Sequence, residues 1–192
     1  MREREIISEH MNFVSDYIRN ISEELDSKSV NKLIEEIIHA KRIFLMGAGR
    51  SGFEARAFAM RLIHLGFHAH AIGEVTTPTP TSEDLVIIIS GSGKTPSIID
   101  LGTAIKSKGP KMAIITTNKD YSLILDIAII IPVIIEDIDK DLRECFLPMG
   151  TLFEVVSHIV LDAIISELKY RTGTTEAMMK DRHMLSEYVG IL

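Results

Sequence analysis

Two short stretches carry residue types whose spacing could do chemistry. The first is Ser90-Gly91-Ser92-Gly93-Lys94-Thr95, set between the run Leu85-Val-Ile-Ile-Ile89 and Pro96. Five apolar residues, four of them β-branched, predict a strand buried on both faces. Pro96 suits the first turn of a helix over 96–108, where its missing N–H would have no partner anyway. A strand, a glycine-hydroxyl loop and a helix N-terminus together form an anion site. Glycines let backbone amides approach closely, three hydroxyls can donate, and the helix dipole favours negative charge. The plain alternative is a Ser/Gly-rich turn with no ligand. The loop is not a P-loop: G-x-x-x-x-G-K-[ST] needs glycine five positions before Gly93, and Ile88 stands there.

The second stretch, Gly47-Ala48-Gly49-Arg50-Ser51-Gly52, satisfies G-x-G-x-x-G. A dinucleotide reading requires an acidic partner ~20 residues on, at the end of the next strand; Glu74 stands 27 positions after Gly47. Against it stands the second anion loop, which a dinucleotide fold does not require. Arg50 and Ser51 equally suit a phosphomonoester, supplying a charge and a hydroxyl.

The elements that must position these loops alternate. A helix over 3–26 carries a seam of Ile7, Met11, Val14, Ile18, Ile21 and Leu25, fit to pack on another helix in this chain or in a neighbouring subunit. Ser27 or Ser29 caps a second helix through Ala40. Strands are expected at 42–46, 67–72, 85–89, 112–116 and 127–133, with helices at 53–65 and 96–108 and a short one near 122–125. Gly66 closes the first of these helices as a left-handed cap. A long helix to Tyr170, with the stripe Leu152, Val155, Val156, Ile159, Val160, Ala163, Ile164 and Leu168, ends at Gly173; Thr174 or Thr175 caps a last helix carrying His183. Strands alternating with helices predict an α/β fold: a three-layer αβα sandwich on a five-stranded parallel sheet in the flavodoxin-like order 2-1-3-4-5. The whole chain, 1–192, reads as one domain, with N-terminal helices (1–40), a βα core (41–135) and C-terminal helices (146–192). Ligands of such sheets bind beyond the strand carboxyl ends where the order reverses, so the loops after Met46 and Ile89 should share one crevice.

Composition narrows the partners. Lys+Arg 21 against Asp+Glu 27 gives a net charge of −6 with no basic block, which argues against nucleic acid or an anionic membrane as partner. The apolar run Ile127 to Ile135 is short and holds Pro132, so no membrane span is expected. The charged start, Met1-Arg-Glu-Arg-Glu-Ile6, predicts no signal peptide, and a single cysteine, Cys145, suits a cytoplasmic protein without an internal disulfide. His68 and His70, or His158 four after Glu154, have spacings that can bind metal, but no third ligand is evident and no metal is expected.

Gly47-Ala-Gly-Arg-Ser51, the strand-borne Ser-Gly-Ser-Gly-Lys-Thr loop, Phe58-Ala-Met-Arg-Leu-Ile-His-Leu-Gly-Phe67, Gly73-Glu-Val-Thr-Thr-Pro78, Leu147-Pro-Met-Gly-Thr-Leu-Phe-Glu154 and Arg182-His183 together resemble a sugar isomerase (SIS) domain. Within that superfamily the chain is similar to the 6-phospho-3-hexuloisomerases from about Leu33 onward, whereas Met184 to Leu192 do not follow the family ending. The resemblance implies interconversion of D-arabino-3-hexulose 6-phosphate and D-fructose 6-phosphate through a cis-enediol(ate), with no cofactor and no metal. It implies Glu154 as the proton-transferring base. It also implies His183, brought into a neighbour's site, and His64 as candidates for opening the sugar ring. Taken alone, Glu154 would be a first-turn acid complementing a helix dipole and His64 a structural histidine. Gly49, Arg50, Ser51, Ser90, Gly91, Ser92, Gly93, Lys94 and Thr95 are the candidate phosphate ligands. The resemblance and the seam at 7–25 favour a homo-oligomer, a tetramer. Another isomerase of the superfamily, acting for example on arabinose 5-phosphate, and a non-catalytic sugar-phosphate sensor are the competing readings.

Overall fold

The computed structural model describes residues 3–132, 140, 144, 147 and 152–183. Its middle strand is β3 (Leu85–Ile89), buried at all five residues, as an unbroken β-branched run requires when both faces are covered. On one side β3 pairs in parallel with β1 (Ile43–Gly47), from Ile43 opposite Leu85 to Gly47 opposite Ile89. On the other it pairs with β4 (Lys111–Thr116). The three-residue β2 (Ala69–Ala71) flanks β1, and β5 (Ile127–Ile130) flanks β4. The order is β2-β1-β3-β4-β5, all parallel, as expected.

Alternation along the strands divides the core. Leu45, Ile87 and Ile115 face the layer of α1 (Glu3–Glu24), α2 (Ser27–His39), α3 (Arg50–Leu65) and α5 (Leu152–Thr172). Phe44, Met46, Val86, Ile88 and Ile114 face α4 (Pro96–Lys106). A short α6 (Glu176–Arg182) packs on α3. Each fully buried Leu or Ile contributes about 1.5–3 kcal/mol, so the sheet is a stiff platform. Its amino end is pinned by charge: Arg42 donates to both carboxylate oxygens of Asp84 at 3.0 and 2.7 Å, and Thr81 adds its amide and hydroxyl. Burial alone would raise the Asp84 pKa; the bonds from Arg42 and Thr81 outweigh it and hold the carboxyl below its usual range. The carboxyl end is left for the two loops.

Several local expectations are corrected. The cap of α2 is Asp26, not Ser27 or Ser29: its carboxylate accepts from the amides of Lys28 and Ser29, and the Ser29 hydroxyl donates to it. No helix forms at 122–125. There Leu123 is buried while Ile124 is 81% exposed, and a bent, non-helical segment presses Leu123 on Gly102 of α4. β2 is shorter than 67–72, and the part of the fifth strand expected at Val133 lies outside the described residues. In the α1 seam, Ile21 is buried and Val14, Ile18 and Leu25 pack on the core, but Ile7 and Met11 are exposed. On α5, Phe153, Ser157, Leu161 and Ile165 are buried where Val155 and Ile159 were expected to be. No helix among the described residues is long and apolar enough to cross a membrane.

Candidate active site

The Gly-rich spacing after β1 serves close packing. A Cβ on Gly47 would lie 2.5 Å from the Ser51 carbonyl oxygen, and one on Gly52 would lie 2.9 Å from that of Gly47. Only glycine at both positions lets the first turn of α3 press against the strand end. Gly49 turns the chain at φ +57°, and α3 opens with Arg50 and Ser51. After β3, the Ser90 amide donates to Ile115 O at 3.0 Å and the Gly93 amide to Ser90 O at 3.1 Å. Gly93 has φ +62°, and a Cβ there would lie 2.9 Å from Tyr121 Cβ.

α5 brings the third component. Glu154 stands in its first turn with a side chain 15% exposed. Ser51 Oγ donates to Glu154 Oε1 at 3.4 Å, and Arg50 Nη2 stands 3.5 Å from Oε2. Oε2 is buried beside the Arg50 guanidinium and accepts no hydrogen bond among the described residues. Phe153 lies on the Ser90–Thr95 loop: a Cβ on Gly91 would be 3.0 Å from its ring.

These residues enclose a cavity of about 320 Å3 at the carboxyl ends of β1 and β3, where the sheet order reverses. Of the residues expected from sequence, Arg50, Ser51, Ser90, Gly91, Ser92, Thr95 and Glu154 line it. Gly49 and Gly93 shape its two loops from outside the lining. Lys94 departs from expectation: it does not line the cavity, and its ammonium reaches Asp120 at 2.7 Å, holding that carboxyl below its usual range. Reading the sequence missed Thr117 and Phe153, along with Ala48 and Ile89. Thr117 immediately follows a predicted strand and Phe153 immediately precedes Glu154, so both had a positional signal.

His64 and His183 come together elsewhere. Their rings are 4.7 Å apart at the C-terminal end of α3, about 20 Å along the helix from Ser51 at about 1.5 Å per residue. Gly66 caps that end at φ 99°. Arg182 donates to His64 O at 3.4 Å and Leu65 O at 2.9 Å. Burial, with His183 and Arg61 adding to it, pushes the His64 pKa down. His158, four residues after Glu154, pairs with Glu54 at 2.7 Å.

A buried carboxylate beside a hydroxyl and a guanidinium, facing a loop of amides and hydroxyls, can move a proton on a small molecule held by its anion. The SIS domain family model matches residues 36–140, more than half of the chain, and the chain belongs to that family. Among relatives, it is 37% identical over 184 residues to the 3-hexulose-6-phosphate isomerase of Methanocaldococcus jannaschii, covering 95% of this chain and 96% of that one. The 3-hexulose-6-phosphate isomerase of Bacillus subtilis is 35% identical over 185 residues, covering 95% and 98%. A Methanococcus jannaschii protein whose crystal structure was described as inferring a 3-hexulose-6-phosphate isomerase function superposes with a TM-score of 0.80 at 34% identity, covering 93% and 99%.

Proposed function

We propose that the chain is an isomerase interconverting D-arabino-3-hexulose 6-phosphate and D-fructose 6-phosphate, with Glu154 as its base. The observation carrying this reading is the approach of Glu154 to Ser51 and Arg50 across from the Ser90–Thr95 loop. In the mechanism the loop amides and hydroxyls, with Ser51 and Arg50, take the 6-phosphate. Glu154 removes the C2 proton of the 3-ketose, giving a 2,3-enediolate, and returns a proton to C3 while the O2 hydroxyl proton moves to O3. The carbonyl then stands at C2. Remote binding of the phosphate positions the carbons for this transfer.

Ring opening belongs to a histidine, and within one chain His64 and His183 are a helix length from Glu154. The reading therefore has His183 act in the site of another copy, in a cytoplasmic homotetramer. The exposed Ile7 and Met11 support a contact between copies, and a single cysteine supports a reducing compartment. A coupled assay following fructose 6-phosphate formed from enzymatically made 3-hexulose 6-phosphate tests the activity. Turnover unaffected by a chelator is expected. Turnover of arabinose 5-phosphate instead would reassign the substrate. Mixing Glu154→Gln with His183→Ala chains tests the sharing: recovered activity is expected, and none would place both roles in one chain.

A further inference from the structure

The loop from Ser90 to Thr95 is held from outside itself. Three donors at the end of β4 converge on one carbonyl: Thr116 Oγ1 at 2.9 Å, Thr117 Oγ1 at 2.9 Å and the Thr117 amide at 3.1 Å all reach Gly91 O. A fourth, Asn118 Nδ2, reaches Ser92 O at 2.9 Å. The clamp is itself braced. Thr116, with no exposed surface, accepts from the Asn118 amide at 3.1 Å, and Asn118 Oδ1 accepts from the Asp120 amide at 2.9 Å.

Satisfying a carbonyl takes one or two donors, so three on Gly91 O exceed what a strand end needs. Their effect is directional. In a trans peptide the C=O and the following N–H point to opposite sides. Drawing Gly91 O toward β4 therefore turns the Ser92 amide away from β4. The two carbonyl oxygens, which would repel an anion, are occupied by donors. Among the described residues, the amides of Gly91, Ser92 and Thr95 have no protein acceptor. Gly93, whose missing side chain leaves room for Thr116 Oγ1 and Tyr121, lets the two loops close to this distance.

We propose that Thr116, Thr117 and Asn118 are positioning residues that fix the phosphate loop in its anion-receiving form before a ligand arrives, an inference that rests on the phosphosugar reading above. Such preorganisation removes an ordering cost from binding. Thr116→Val keeps the shape and deletes the hydroxyl. The expected result is a KM for the sugar phosphate raised about tenfold, the size of a single lost hydrogen bond or somewhat more, with kcat changed much less. Thr116→Ser should restore the wild-type KM. Asn118→Leu, at a half-buried position less prone to misfolding, should raise KM about threefold.

Thermal stabilisation by inorganic phosphate separates this proposal from the activity itself. Wild-type protein stabilised by phosphate, with the effect lost in Thr116→Val and regained in Thr116→Ser, supports the positioning role even if no hexulose phosphate turns over. Equal phosphate stabilisation of wild type and both disrupted variants overturns it, whatever the activity. A kcat loss with unchanged KM also overturns it, and failure of phosphate to stabilise the wild type removes both readings.

Discussion

The two ends of α3 carry residues of similar promise in the sequence and meet opposite fates in the structure. At the N-terminal end, Arg50 and Ser51 face a cavity across from Glu154, with amide donors beyond. At the C-terminal end, Arg182 binds the last carbonyls, Gly66 closes the turn, and His64 is buried against His183. A helix start presents unsatisfied N–H groups and positive potential, which an anionic ligand can use. A helix end presents carbonyls, and here the chain supplies its own cation to them. The same element is thus open to a ligand at one end and sealed by its own arginine at the other.

The largest test of this contrast is Glu154→Gln. Loss of a positioned base should lower kcat by about 10²–10⁴-fold while sugar-phosphate binding persists; near-wild-type kcat in the coupled assay would remove Glu154 as base. Arg50→Met should cost less. Losing a charged hydrogen bond of about 1.5–3 kcal/mol lowers kcat/KM about 10- to 100-fold, and an unchanged value would show that the N-terminal end does not hold the anion. At the sealed end, Arg182→Leu should act on stability. A loss of about 2 kcal/mol moves Tm down by about 4–8 °C in a scanning calorimeter, and an unchanged Tm would mean the cap contributes nothing.

The smallest effect is a pH slope. His64 is neutral in the folded chain to a lower pH than when unfolded, because burial, His183 and Arg61 oppose its charge. The unfolded chain takes up that proton first, near pH ~6.5. Stability therefore falls as pH drops below that value and levels off below the folded pKa. His64→Gln should shrink the Tm difference between neutral and mildly acidic buffer. An identical slope in wild type and variant would contradict it.

What the sequence revealed follows from the range of the interactions involved. β3 was legible because a β-branched run has one stable use, and the Ser90–Thr95 loop because its glycines and hydroxyls lie together in the chain. Glu154 was reachable only through its family motif, since its approach to Ser51 joins residues 103 positions apart. The direction of Lys94 depends on Asp120, which belongs to a different loop. Thr117, just past the predicted strand, gave no sign of a site role beyond its position, because its hydroxyl meets Gly91 only once β3 and β4 are paired. Asp26 displaced the expected serine caps because a carboxylate accepts two amides at once.

The contact of Phe153 with Gly91 sets a length. Phe153 is bonded to Glu154 and its ring rests on Gly91 of the Ser90–Thr95 loop, so in the proposed mechanism the base and the anion grip are the two jaws of a caliper whose opening one van der Waals contact sets. A sugar phosphate one carbon shorter would bring its reacting C–H to the carboxylate displaced by about one C–C bond, about 1.5 Å. A misplacement of about 1 Å costs about 10²-fold in rate. In that mechanism chain length would be selected by measurement, with no side chain assigned to recognise the hydroxyls in between. Gly91→Ala, by forcing the jaws apart, would change which length fits.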